Sequence, residues 1–329
     1  MPRRILVLGG TGSIGRATVA ALVARGHQVT CIARSKAGSG GKWTQEKTTL
    51  LLKGAEVIFG DVTDFEFLAK QIFHSQQFDA IVSCLASRTG EPDDARAIDY
   101  QAHADVLALA KETGVTQMVL LSAICVQKPR LVFQHAKLKF EKELMESGLT
   151  YSIVRPTAYF KSLVGQVDRV KKGKSFLLFG DGTLTACKPI SDADLANYLA
   201  DCLQDTSLQN KILPIGGPGP AITLLEQGEY LFKILGREPR FKSVPASLLE
   251  WVAKILDGLG KVVPPLAAKA ELARIGHYYA TESMLVFDAE TGRYDADATP
   301  ETGSDTLFDY VKGLIDGSET ADRVDYDLF

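Results

Sequence analysis

The chain has 329 residues, of which 46% are hydrophobic and 23% charged, and its formal net charge is −3. This composition excludes an intrinsically disordered, collagen-like or multi-span membrane protein, and the weak negative charge argues against a protein that coats nucleic acid. A small-molecule partner is therefore expected.

The cysteines and the apolar segments bear on the compartment. The five cysteines are widely spaced and form no C-x-x-C pair, which favours neither a disulfide framework nor a zinc site. No apolar stretch reaches the about 18 residues of a spanning helix, and only the short segment 1–4 precedes the first apolar run. We therefore expect a cytoplasmic protein without a signal peptide or a bound metal.

Six short apolar runs alternate with longer segments of helical pattern in the first half of the chain. They lie at residues 5–8, 28–32, 56–59, 80–83, 118–121 and 151–154. Because each run is apolar at consecutive positions, it predicts a parallel strand covered by helices on both faces. The expected fold is an α/β doubly wound parallel sheet, which binds ligands beyond the carboxyl ends of its strands.

A glycine-rich segment, GGTGSIG at residues 9–15, follows the first run and precedes a helical pattern. Glycine is needed where the backbone turns sharply and approaches a pyrophosphate closely, and the helix N-terminus offers N–H donors to the anion. The residues predicted to bind a dinucleotide here are Gly9, Thr11, Gly12, Ser13, Ile14 and Gly15.

The residue after the second strand bears on the choice of cofactor. An acidic residue usually ends this strand in an NAD site, where it binds the ribose 2′-hydroxyl. Here Ala33 is followed by Arg34, Ser35 and Lys36. A guanidinium suits a 2′-phosphate through forked, charge-assisted hydrogen bonds. Arg34 therefore predicts NADPH rather than NADH, with an ordinary surface cation as the alternative.

Other cofactor contacts follow from position in the sheet. Asp61 and Val62 end the third strand and are expected near the adenine, although Asp61 is equally typical of a turn or a helix cap. Leu85, Ala86 and Ser87 end the fourth strand and are expected beside the nicotinamide ribose.

The regular alternation ends near residue 156. We expect residues 1–156 to form the NADPH-binding Rossmann domain, completed by a returning segment at about 189–218 that includes the apolar run 211–215. Residues 157–329 are expected to form a smaller, C-terminal substrate-binding region.

Longer strings extend these observations almost to the C-terminus. Examples are LLSAICVQKP at 120–129, AKLKFE at 136–141, YSIVRPTAYFKSL at 151–163, CKPIS at 187–191 and LPIGGPG at 213–219. They resemble the divinyl chlorophyllide a 8-vinyl-reductases, a family in the atypical or extended branch of the short-chain dehydrogenase/reductase superfamily. The resemblance implies NADPH-dependent reduction of the 8-vinyl group of divinyl chlorophyllide a, or of divinyl protochlorophyllide, to ethyl in chlorophyll or bacteriochlorophyll synthesis.

The resemblance also implies roles for three residues. Ordinary members of the superfamily reduce a carbonyl with a Ser, a proton-donating Tyr and a Lys, and the matching positions here are Ser122, Phe133 and Lys137. Without the phenol, a ketone would lack its general acid, whereas a conjugated macrocycle can delocalise the charge left by hydride attack on a vinyl group. Lys137 and Ser122 are the implied catalytic residues, and Lys137 is also expected to bind the nicotinamide ribose. A solvated lysine and a structural serine are the alternatives.

The remaining assignments lie around the end of the sixth strand. Pro156 is expected to contact the cofactor. Phe133, Tyr159 and Phe160 are expected to pack on the tetrapyrrole, and Lys161 to meet its propionate. The proton donor and the oligomeric state stay open.

Two other functions are consistent with the residues. The missing phenol allows a non-enzymatic NADPH-binding assembly or sensor protein, and the superfamily also contains isoflavone-reductase-like and sugar-nucleotide enzymes. An amphipathic helix predicted at residues 246–263 is expected to be buried against the sheet. Alternatively, it forms an apolar wall for the tetrapyrrole or rests peripherally on photosynthetic membranes.

Overall fold

The computed structural model describes residues 1–38, 41–260 and 265–319. The chain divides into two compact units. The first contains Met1–Arg88, Pro92–Pro156 and Asp192–Leu213, and the second contains Thr89–Glu91, Thr157–Ser191 and the described residues from Pro214 onward.

A seven-stranded sheet is the main feature of the fold. Its strands are β1 (Arg4–Leu8), β2 (Gln28–Ala33), β3 (Glu56–Phe59), β4 (Ala80–Ser83), β5 (Gln117–Leu121), β6 (Thr150–Pro156) and β9 (Lys211–Ile215). The order is β3-β2-β1-β4-β5-β6-β9, and the pairs from β3 to β6 are parallel. The predicted doubly wound α/β fold is confirmed, and all seven predicted runs are strands.

Helices flank this sheet. They are α1 (Ser13–Ala24), α2 (Gln45–Leu51), α3 (Phe65–Phe67), α4 (Pro92–Asp94), α5 (His103–Glu112), α6 (Val132–Met145) and α9 (Asp192–Asp201). Two π-helices, Leu68–Phe73 and Ala95–Ala102, continue α3 and α4. Single 3₁₀ turns lie at Ile124–Gln127 and Thr206–Leu208.

The burial of the strands explains their apolar sequences. Residues 5–8 of β1 have no exposed surface, and every residue of β5 is buried, as expected for strands covered on both faces. The strand order reverses between β1 and β4. In doubly wound sheets the ligand crevice lies outside the carboxyl ends of the strands at this reversal. The segments that follow β1 and β4 are therefore the expected position of a ligand-binding site.

The second unit contains short helices and small sheets. Its helices are α7 (Phe160–Leu163), α8 (Val167–Lys171), α10 (Leu224–Ile234), α11 (Ser247–Gly260), α12 (Pro265–Thr281) and α13 (Leu307–Asp316). Its strand pairs are β7 (Phe176–Phe179) with β11 (Phe241–Val244), β8 (Ala186–Cys187) with β10 (Ile222–Thr223), and β12 (Val286–Asp288) with β13 (Arg293–Asp295).

The amphipathic segment predicted at 246–263 is a helix, α11, over Ser247–Gly260, and residues 261–263 lie outside the described part. Ala253 is buried and α11 packs on α12. However, Trp251 is 65% exposed and Leu248 and Ile255 are also exposed. The expectation that this apolar face is buried is therefore wrong for these residues, because the neighbouring helix covers only part of so wide an apolar stripe.

Candidate functional site

The glycine loop leaves no room for side chains at two positions. Gly9 has a φ of +71°, and a Cβ there would lie 2.5 Å from the carbonyl oxygen of Cys84. A Cβ on Gly15 would lie 2.1 Å from the carbonyl oxygen of Gly9. Both contacts are with backbone, so only glycine fits. The loop thus closes tightly on itself and on the segment that follows β4.

The first turn of α1 is open to an anion. Gly12 is its N-cap residue, no side chain caps the turn, and no acidic residue lies in it. The unpaired N–H groups of such a turn, together with the helix dipole, bind phosphate. The predicted loop residues from Gly9 to Gly15 therefore form a cradle that fits a dinucleotide pyrophosphate.

Arg34 follows β2 and is exposed, as is Lys36. The loop behind them is anchored by Trp43, which is 8% exposed. The Trp43 backbone N–H donates to the carbonyl of Ala37 at 3.0 Å. At Gly38, with φ of +72°, a Cβ would lie 2.4 Å from the indole. The tryptophan thus fixes the course of the loop that starts with Arg34.

A second guanidinium lies beside this loop. The Arg16 side chain donates to the carbonyl oxygen of Thr11 at 2.9 Å, and its Cζ lies 5.1 Å from the Trp43 ring centroid, within the range of a cation–π contact. Neither Arg16 nor Trp43 was singled out from the sequence. Two sequence features could have identified them: Arg16 directly follows the last glycine of the loop, and Trp43 is an isolated aromatic residue in a polar segment.

After β3, the Asp61 carboxylate makes a local turn. Its Oδ1 accepts hydrogen bonds from the Thr63 backbone N–H at 2.9 Å and from the Thr63 hydroxyl at 2.8 Å. Val62 is half-buried and packs against the core beside the sheet. Asp61 therefore has the turn role that the sequence left open, and a contact of Asp61 or Val62 with adenine stays a prediction.

The segment after β4 is held by a buried histidine. The Ser83 hydroxyl and His103 Nε2 are 2.7 Å apart, and His103 Nδ1 lies 2.8 Å from the carbonyl oxygen of Ile98. Burial, followed by the charge of Lys137, lowers the pKa of His103 to about 4. The neutral imidazole therefore donates to Ile98 and accepts from Ser83, whose oxygen in turn accepts from the Leu85 backbone N–H at 3.3 Å.

Lys137 lies on α6 and forms an ion pair with a buried carboxylate that sequence reasoning missed. Its Nζ is 2.9 Å from Asp99 Oδ1, and the two side chains are 11% and 0% exposed. Asp99 Oδ1 also accepts from the Ser87 backbone N–H at 3.2 Å. The spacing of Asp99 and His103, four residues apart in a helical segment, could have indicated that both lie on one buried polar face. Ala86, between these anchored residues, is exposed.

Ser122 belongs to a second buried ion pair. Its hydroxyl donates to Glu141 Oε1 at 2.5 Å, and Arg155 Nε lies 3.2 Å from the same oxygen. Arg155 also pairs with Glu141 Oε2. The Ser122 hydroxyl is thus engaged by Glu141, which lies one helical turn after Lys137 on α6. Phe133, where a phenol would stand, is buried at the start of the same helix.

The predicted substrate residues after β6 differ in exposure. Pro156, the last residue of β6, is buried. Tyr159 and Lys161 are half-buried, whereas Phe160 is 4% exposed and its ring centroid lies 5.6 Å from that of Tyr310. Within the second unit, Tyr159 and Lys161 are therefore more accessible to a ligand than Phe160.

Residues 9–206 match the model of a protein family described as NAD(P)H-binding. A curated relative from Arabidopsis thaliana, divinyl chlorophyllide a 8-vinyl-reductase, is 52% identical over 94% of this chain and 76% of its own length. The photosystem II assembly factor Ycf39 of Synechocystis is 24% identical over 76% of this chain and 73% of its own.

Among solved structures, the NADPH-dependent quinone oxidoreductase of Escherichia coli, in complex with NADPH, superposes with a TM-score of 0.68. The match has 19% identity and covers 94% of this chain and 99% of that one, so it supports the fold alone.

The fold and the glycine cradle, together with the family model, define an NAD(P)H-binding oxidoreductase of the atypical short-chain dehydrogenase/reductase type. Within that class, the chain belongs to the family of divinyl chlorophyllide a 8-vinyl-reductases.

Across residues 1–38, 41–260 and 265–319, no three His, Cys, Asp or Glu side chains are grouped as a metal site. Over the same ranges, no helix combines the length and the apolar character needed to cross a bilayer.

Proposed function

We propose that this chain catalyses the NADPH-dependent reduction of the 8-vinyl group of divinyl chlorophyllide a, or of divinyl protochlorophyllide, to an ethyl group. The observation that carries the proposal is the 52% identity to an 8-vinyl-reductase over nearly the whole chain. Two features agree with this function. The tight glycine loop can bind the nucleotide, and Phe133 lacks the phenol that a carbonyl reductase uses.

The first unit is proposed to bind NADPH, and the second to bind the tetrapyrrole. The N–H groups of residues 13–15, in the first turn of α1, hold the pyrophosphate. The guanidinium of Arg34 binds the 2′-phosphate by charge-assisted hydrogen bonds, and Arg16, which stacks on Trp43 of the same loop, is a second cation for it. Asp61 and Val62 lie at the adenine, and Leu85, Ala86, Ser87 and Pro156 border the nicotinamide ribose.

When bound, NADPH supplies the hydride. Lys137 holds the ribose hydroxyls and thereby orients the nicotinamide. Phe133 offers no acidic proton, so the conjugated ring system delocalises the negative charge left by hydride transfer, and the proton that completes the ethyl group comes from another side chain or from water. Ser122 contributes by holding Glu141, one turn after Lys137 on α6, in its ion pair with Arg155. Tyr159 packs on the macrocycle, and Lys161 meets the propionate.

The exposed face of α11 is proposed to rest on a photosynthetic membrane as a peripheral contact. Trp251 and Ile255 project from it, and burying each side chain is worth about 1.5–3 kcal/mol. Trp251→Ala/Ile255→Ala should therefore lower binding to phosphatidylglycerol-containing vesicles at least about tenfold in a flotation assay. Leu50→Ala removes a residue that is 74% exposed elsewhere and is the matched control. Equal binding by all three proteins would contradict this contact and leave the expected cytoplasmic location.

The main experiment is a turnover assay. Purified protein is incubated with NADPH and, in separate reactions, with divinyl chlorophyllide a or divinyl protochlorophyllide, and the pigment is followed by chromatography and absorption. Conversion to the monovinyl pigment with consumption of NADPH is expected. Tight NADPH binding without conversion of either divinyl pigment would contradict the proposal and favour a non-enzymatic assembly role.

A further inference from the structure

The ion pair between Lys137 and Asp99 is more buried than a cofactor-binding lysine requires. The Asp99 side chain has no exposed surface, and its Oδ1 lies 2.9 Å from the ammonium. Removing both charges from water is unfavourable. A lysine that only binds ribose hydroxyls could do so with its ammonium near solvent, so the carboxylate needs a separate explanation.

Asp99 is also incompletely satisfied. Its Oδ1 accepts from Lys137 and from the Ser87 backbone N–H. Its Oδ2 is inaccessible to solvent and has no hydrogen-bond partner among the described residues. An unsatisfied buried oxygen is unfavourable and calls for an explanation, of which a functional role is one and a bound water is another. For structure alone, an asparagine could bond to the same N–H without bringing a second charge.

The local backbone is also unusual. Asp99 lies in the π-helix Ala95–Ala102, and π-helical segments are frequent at functional sites. His103, on the next turn, is neutral because burial lowers its pKa to about 4. The carboxylate of Asp99 is therefore the anion paired with Lys137 on this segment.

We propose that Asp99 is a positioning residue whose carboxylate neutralises the ammonium of Lys137. The protein then places no net charge beside the nicotinamide, and the site can bind both the reduced and the oxidised cofactor. Where a phenol is present, the positive charge of the lysine favours the ionised form of that phenol. Here Phe133 replaces the phenol, so an uncompensated ammonium has no catalytic use. It would, however, repel the cationic ring of NADP⁺ and not the neutral ring of NADPH. This inference rests on the proposed placement of the nicotinamide ribose at Lys137.

The test is the ratio of the dissociation constants of NADP⁺ and NADPH, measured by calorimetry. Asp99→Asn keeps the shape and removes the anion. It should weaken NADP⁺ binding about tenfold relative to NADPH, the scale expected for one partly screened charge several ångströms away. Lys137→Gln leaves the carboxylate unpaired and should shift the ratio in the opposite direction. Asp99→Asn/Lys137→Gln should restore it, although both nucleotides bind more weakly.

Asp93→Asn is the control, because Asp93 precedes the same π-helix, is fully exposed and pairs with Arg96. It should leave the ratio unchanged. Equal weakening of both nucleotides in Asp99→Asn, or a shift in the same direction in Lys137→Gln, would overturn the proposal. If Asp99→Asn does not fold, the sign of the shift in Lys137→Gln decides alone. Wild-type turnover of the pigment is a separate readout, so failure of the proposed function is distinguishable from failure of this inference.

Discussion

The strand ends on the two sides of β1 are built differently. On the β2 side, Arg34 and Lys36 are exposed cations on a loop that Trp43 anchors. On the β4 and β5 side, polar groups are buried in pairs, with Asp99 joined to Lys137 and Glu141 to Arg155. The interactions of an exposed charge are screened by solvent and salt and allow several side-chain positions. A buried ion pair, in contrast, is favourable in one geometry only. Under the proposed function, the first side selects the cofactor and the second fixes its reacting end.

The largest expected effect is on the buried side. Glu141→Ala removes the partner of both Ser122 and Arg155 and leaves a largely buried guanidinium unpaired. We expect a loss of about 3–5 kcal/mol in the free energy of unfolding, measured by urea denaturation.

Glu146→Ala, at the C-cap of the same helix, is the control, because Glu146 is exposed and lies 3.9 Å from Lys142. Its effect should be below about 0.5 kcal/mol. Comparable effects of the two substitutions would show that the buried pair is no more important than a surface pair, and the contrast between the two sides would fail.

A second test uses the neutral histidine that holds the β4 segment. The pKa of His103 is about 4 in the folded protein, below the unfolded value of about 6.5. The unfolded chain therefore binds the additional proton first as the pH falls. Stability attributable to this group should decrease by up to about 1.4 kcal/mol per pH unit between pH 6.5 and 4. Above that window the group contributes no pH dependence.

His103→Gln isolates this contribution. The difference between wild-type and variant unfolding free energies should shrink on acidification and stay constant above pH 7. Parallel curves across the whole range would mean that His103 titrates normally in the folded state and that the β4 segment is not held by a neutral imidazole.

The same contrast explains what could be predicted from the sequence. The strands and the glycine loop follow from local patterns, because consecutive apolar residues and glycine spacing are properties of contiguous sequence. Arg34 is likewise recognisable from its place after β2. These features need no knowledge of which helix faces which strand.

The buried pairs could not be predicted in this way. Asp99 and Lys137 are 38 positions apart, and Ser122, directly after β5, is 19 positions from Glu141 on α6. Such contacts depend on the packing of helices above the strand ends. Lys137 and Glu141, spaced one turn apart, predict a shared helix face, but their partners depend on tertiary structure. The exposed stripe of α11 was also unpredictable, since amphipathicity does not specify how much of a face is covered.

The smallest expected effect is on the exposed side. Arg34→Asp replaces a cation by the residue type that binds a ribose 2′-hydroxyl. NADPH affinity should fall about tenfold and NADH affinity should rise, because the 2′-phosphate loses a charge-assisted partner and meets a negative charge. Lys36→Asp makes the same charge change two residues further along and should leave the preference for NADPH in place. Fluorescence titration with both nucleotides measures the effect. Unchanged NADPH affinity in Arg34→Asp would show that Arg34 does not select the cofactor. An equal loss of NADPH affinity in Lys36→Asp would show that the loop acts through its total charge.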